Sequence, residues 1–244
     1  EFFTERADGS VTKYDANQTT VARLVVPDEV TFNRAISLEG EYTHESGNNG
    51  LDESLYSEDE VYPSAGPMID SALQEGEDTN NSLSNCFDSG SACTSGTYYA
   101  SEDVTVDQRV EFDTSDGDIT IAVDGDLDLG GNDLEITNEG DGVVRYYVNG
   151  SVFANGDATV GTTSAAVEAQ RNQFYVREGF LEDGPGQGNV DIDAVVYAPN
   201  SDTNLAGSVT LRGGFVFDTL TTRSNAFTVE HDDTLDDIEI RIAG

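Results

Sequence analysis

The chain has 244 residues and sets 48 Asp and Glu against 11 Lys and Arg, a formal net charge of −37. It has no clustered Lys and Arg with which to grip phosphates, which argues against nucleic acid and anionic membranes as partners. The acids are interleaved with apolar residues along the whole length, and 36% of the chain is apolar, with 11 Phe and 10 Tyr. A folded core is expected, and disorder is not. Such a charge repels itself in dilute buffer, whereas in molar salt the Debye length falls to about 3 Å and screens it. With Lys13 as the sole lysine, the composition predicts a protein of a halophile, most simply a haloarchaeon.

Residues 1–43 alternate in a strand-like way through Val21, Leu24, Val25 and Val26, then Val30, Phe32, Ile36 and Leu38. They read as an N-terminal β segment of two or three antiparallel strands. Residues 44–96 are rich in Gly, Asn, Ser and acids and predict a loop-rich cap with one short helix. Pro67 suits a first helical position, Met68, Ile69, Ala72 and Leu73 supply an apolar stripe, and Gly76 can close the end. Cys86 and Cys93, the only cysteines, bracket a short polar loop, and a disulfide is the economical reading. A zinc site would need two further ligands, and His44 and His231 are distant in sequence. Three sequons, at Asn17, Asn80 and Asn149, join the cysteine pair in favouring an exported glycoprotein.

From 97 to 244 the sequence becomes a succession of short β-runs separated by Gly, Asn and Asp, which predicts an all-β fold. Val123-Asp124-Gly125 recurs as Val148-Asn149-Gly150, and Val195-Val196-Tyr197 is echoed by Phe215-Val216-Phe217. A right-handed parallel β-helix, or solenoid, stacks such phrases so that apolar residues form internal ladders while Asp and Thr face solvent. A β-sandwich is the alternative, since it also alternates.

Three stretches carry a resemblance: Ala194-Val195-Val196-Tyr197-Ala198-Pro199-Asn200-Ser201, Gly213-Gly214-Phe215-Val216-Phe217, and Phe227 to Leu235. They are similar to the closing rungs of the PilX-like domain of type IV pilus accessory proteins, found on bacterial and haloarchaeal surfaces. The similarity covers about residues 96–235 and departs at Asp232, where that family tends to have an aromatic. It implies a β-solenoid at the cell surface, tethered by a membrane helix outside this chain, and it brings no catalytic residues to transfer. Glu1-Phe2 is also what a cloning site encodes, so the chain reads either as an excised ectodomain or as a processed form.

Asp124, Asp126, Asp128, Asn132 and Glu135 place oxygen ligands at the spacing of a calcium loop. Calcium or another hard cation is the candidate ligand, and no cofactor is required. Against it, Leu129 stands where the turn wants Gly, and the competing reading is a strand with its acids outward. Asp113 to Asp118 and Asp191 to Asp193 invite comparison with glycan-cleaving β-helices, whose carboxylate pairs do acid–base work. In so acidic a chain a hydrated surface is the simpler account. Gly184 to Gly188 lacks the Lys-Ser or Lys-Thr of a phosphate loop, and adjacent residues in His231-Asp232-Asp233 face opposite ways on a strand. Tyr146, Tyr147, Tyr175 and Tyr197 could form either a glycan-stacking platform or core. The expectation is an extracellular, cell-surface protein of structural or adhesive function, a pilus-like filament subunit or accessory, whose partners are its own copies, other surface proteins or glycans. The alternative is a glycan-binding or glycan-cleaving β-helix.

Overall fold

In the computed structural model the described residues are 63–79, 81–138, 140–163, 168–181, 188–222 and 226–230, together with five short N-terminal strands. The fold is all-β and is a parallel β-helix. Its first rung is β6 (Gly96–Ala100), β7 (Val104–Thr105) and β8 (Val110–Asp113). The second is β9 (Ile119–Val123), β10 (Leu127–Asp128) and β11 (Leu134–Asn138). The third is β12 (Val144–Val148), β13 (Val152–Phe153) and β14 (Ala158–Thr162). Then β15 (Asn172–Val176) and two long strands, β16 (Asn189–Leu205) and β17 (Ser208–Thr222), carry the coil to β18 (Ala226–Glu230).

The repeat comes from the registers. Gly96 lies beside Ile119, Ile119 beside Val144 and Val144 beside Asn172, giving rungs of 23, 25 and 28 residues. Gln173 beside Val195 and Val195 beside Gly214 shorten them to 22 and 19. The two short rungs have no room for loops, so β16 and β17 bend around the corners as continuous strands. At one corner Gly213 holds φ 129°, and a Cβ there would lie 2.1 Å from the Ala194 carbonyl oxygen. Only glycine fits that close approach.

Alternation sets the core. Within β12, Val144, Tyr146 and Val148 are fully buried while Arg145 and Tyr147 are partly exposed. Stacking then aligns like residues, as Ile121, Tyr146, Phe174, Val196 and Phe215 fall in one internal column. The column's Tyr146 stacks on Phe174 at 4.2 Å, and across the interior Tyr146 meets Phe112 of β8 edge-on at 6.0 Å while Phe174 meets Phe180 at 5.7 Å. Such pairs add about 0.5–1.5 kcal/mol each beyond the area they bury.

The N-terminal strands differ from the antiparallel reading. Among the described residues only β1 (Phe3–Glu5) and β2 (Val11–Lys13) pair antiparallel. Strands β3 (Arg23–Val25), β4 (Glu29–Phe32) and β5 (Ile36–Leu38) run parallel to β17 and β18: β3 and β4 complete the rung that β18 begins on β17, and β5 stacks on β18. Leu24 takes the register position beside Phe215, and Leu38 that beside Val229. Apolar periodicity reveals a strand but not the direction of its neighbour, and these partners lie at the far end of the chain.

Helix α1 (Gly66–Thr79) lies across the outside of the sheet that holds β6, β9, β12 and β15. Ile69 is completely buried, with Met68 and Leu73 packed beside it against Tyr147 and Tyr175. Gly76 does not end the helix but sits inside it, where a Cβ would come 3.0 Å from the Tyr99 Cβ and 3.4 Å from that of Ala122. A side chain there would hold the helix off the sheet. A second helix, α2 (Ser84–Phe87), is a single turn.

Candidate functional site

The end of the solenoid before the first rung is covered on two of its three sides. On one side Asn81 accepts from the Tyr99 amide and Leu83 donates to the Tyr99 carbonyl, at 2.9 and 2.8 Å, so residues 81–83 continue the sheet beyond β6. On another, Cys93 donates to the Glu111 carbonyl at 2.7 Å and its own carbonyl accepts from Asp113, which extends the sheet beyond β8. The disulfide between Cys86 and Cys93, Cα atoms 4.9 Å apart, ties these two pieces together through α2. Phe87 tucks beneath, 4% exposed, against Phe112.

The third side is left open by the described residues. Beside β7 lies a cleft of about 570 Å³, between the strand and the turn of α2. Val104 gives it a half-buried apolar wall backed by the buried Leu83 and Phe87, Glu77, Asp88, Glu102 and Asp107 line it with carboxylates, and none of its lining residues is basic. The sequence signals the cysteine pair but not the cleft, which exists only because the bridged segment covers two sides of a three-sided rung.

The calcium-loop residues do not come together. Asp124 accepts from the Asn149 amide at 2.6 Å, and Asp126 accepts from the Ser151 backbone N–H at 2.8 Å. Asp128 takes the Gly130 N–H and the Asn155 amide, Asn132 donates to the Val106 carbonyl at 2.7 Å, and Glu135 pairs with Arg109. Each acid therefore bonds within its own turn or to an adjoining rung. Among the described residues no three His, Cys, Asp or Glu side chains converge on a point that could hold a metal.

The other acid runs behave similarly. Burial works to raise the Asp118 carboxyl, but hydrogen bonds from Arg145 and the Val143 N–H outweigh it and hold the group below the usual range. The Ser115 hydroxyl, 2.6 Å away, together with the Ser115 N–H keeps Asp113 low. Arg212 reaches both Asp191 and Asp193.

Of the four tyrosines weighed as a glycan platform, Tyr146 is wholly internal. Tyr147 and Tyr175 are stacked on the outer face at 4.9 Å, but α1 lies over them. Tyr197 is 3% exposed and donates its hydroxyl to the Pro63 carbonyl at 2.6 Å. This column seats a helix and is not an open stacking surface. Asn149 is partly exposed at a turn, its amide engaged by Asp124. Asn17, Asn80, His231 and residues 184–187 of the glycine-rich turn lie outside the described residues.

Fold and cap together define a parallel β-solenoid closed by a disulfide-tied segment. The chain belongs to the family described as a domain of unknown function, DUF7305, whose model matches residues 48–238. No curated protein and no solved structure matches it.

Proposed function

We propose that this chain is a non-enzymatic structural or adhesive component of a haloarchaeal cell surface, a subunit or accessory of a pilus-like filament. The observation that carries the reading is the use of its acids. Asp103, Asp124, Asp126, Asp128 and Asp157 all accept hydrogen bonds from the following rung, at 2.6–2.9 Å. Carboxylates engaged in joining rungs serve a scaffold, and the remaining charge keeps that scaffold hydrated in brine. The disulfide at the cap suits an oxidising, extracellular setting.

Electron microscopy of the purified chain at molar salt over a range of concentrations tests the reading. Filaments or end-to-end stacks are expected, and dispersed particles at every concentration would remove the filament. The halophilic part is tested separately by dialysis into low salt, where loss of the near-UV circular dichroism signal is expected and its retention would overturn it.

A further inference from the structure

We propose that the open side of the capping rung is a strand-docking cleft that takes an extended, Lys- or Arg-bearing segment of another protein. The proposal rests on the surface-protein reading above and names a partner for its adhesive arm.

The backbone geometry comes first. Val104 and Val106 of the β7 edge donate to the carbonyls of Asp126 and Asp128, both at 2.8 Å. A parallel ladder alternates sides from one residue to the next, so the N–H and C=O of Thr105 point to the opposite edge, into the cleft. No described residue pairs with that edge. Its two counterparts in the same rung are both covered, β6 by residues 81–83 and β8 by Cys93. The cleft is therefore the one side of this rung that the described chain leaves unfilled, and an added strand would complete it by main-chain bonding.

Chemistry then selects the occupant. A strand placed against β7 would set alternate side chains toward Leu83, Phe87 and Val104 and the others toward Glu77, Asp88, Glu102 and Asp107. Apolar residues alternating with cations match both walls. A second copy of this chain is a poor match, because it brings 48 acids and only 11 basic residues, and like charges across a contact are repulsive.

The test uses the full chain and a fluorescein-labelled peptide of alternating valine and lysine, with a control of equal charge whose valines are replaced by proline. Binding is followed by fluorescence anisotropy in molar salt and down to the lowest salt at which the near-UV signal is retained, and amide exchange is followed at residues 103–106. Expected is saturable binding of the valine peptide, at least tenfold weaker binding of the proline peptide, and slowed exchange at Thr105 on binding. Thr105→Pro removes only an N–H that the fold does not use, so its near-UV spectrum should be unchanged while binding falls at least tenfold. Asp88→Asn with Asp107→Asn should weaken binding without altering Thr105 exchange in the free chain. Equal binding of the two peptides, no binding, or a Thr105 amide already protected in the free chain would each overturn the proposal. Self-association that disappears in Thr105→Pro would instead make a second copy the occupant and would also overturn it. Dispersed particles in micrographs would remove the filament and leave the cleft standing. Failure of the peptide would close the cleft and leave assembly untouched.

Discussion

Tyr146 lies flat on Phe174, their ring centroids 4.2 Å apart and their planes 7° from parallel. Both rings are inside the solenoid, and the Tyr146 hydroxyl finds no hydrogen-bond partner among the described residues. A buried polar group without a partner costs about 1–3 kcal/mol. Tyr146→Phe keeps the stack and removes the hydroxyl, so thermal unfolding should show it equal to the parent or up to about 2 kcal/mol more stable. Phe174→Ala opens a cavity in the same column and should lose about 3–5 kcal/mol.

The rung-joining acids make a second prediction. Asp126 holds the Ser151 N–H of the next rung at 2.8 Å, and Asp126→Ala leaves that partly buried donor without its acceptor. A loss of about 1–2 kcal/mol in urea unfolding is expected. Asp126→Asn retains an acceptor oxygen and should lose less than half as much. Equal losses would mean that charge, and not the bond, is what the rung uses.

Reduction tests the cap. The bridge between Cys86 and Cys93 closes a short loop, separation seven residues, for which chain entropy gives about 2–3 kcal/mol. Cys86→Ser with Cys93→Ser should lower stability by that order, and faster amide exchange should be confined to residues 81–95 and to β6 and β8. Faster exchange throughout the solenoid would show that the cap nucleates the coil.

Alkali should unfold the protein within a defined window. Burial raises the phenols of Tyr146, Tyr147 and Tyr175 above the ordinary value of 10.0 and pushes Tyr197 up to about 12. A phenol kept neutral in the fold adds stability that is complete below the unfolded value, near pH 10, and declines as pH rises through the folded one. Stability should be level from neutral pH to about 10 and fall between pH 10 and 12, with the tyrosinate absorbance of these four rising in step with loss of the near-UV signal. Ionisation of all ten tyrosines near pH 10 with the fold intact would contradict the packing of α1.

Much of the coil was legible because its cause is local. Val123-Asp124-Gly125 and Val148-Asn149-Gly150 repeat because the two segments stack in register, and the disulfide followed from two cysteines seven residues apart. The apolar stripe of α1 was visible for the same reason, but its end was not. Gly76 is set by Tyr99 and Ala122 across the interface, and helix propensity carries no trace of that contact. The acids were ambiguous, since ligand spacing resembles the spacing of residues that bond to the next rung. The cleft was invisible, because it depends on which sides of a rung remain uncovered.

Strands β3 to β5 occupy residues 23–38, yet they pair with β17 and β18, residues 208–230. During synthesis, at roughly 5–20 residues per second, these early strands wait on the order of ten seconds or more for the partners they stack on. The core rungs can form from neighbouring segments in that interval, whereas closure of the far end is a late, long-range event with a high entropic barrier. The chain thus leaves β3 to β5 unpaired until its last strands are made, and completion of the solenoid reports that the last rung is present.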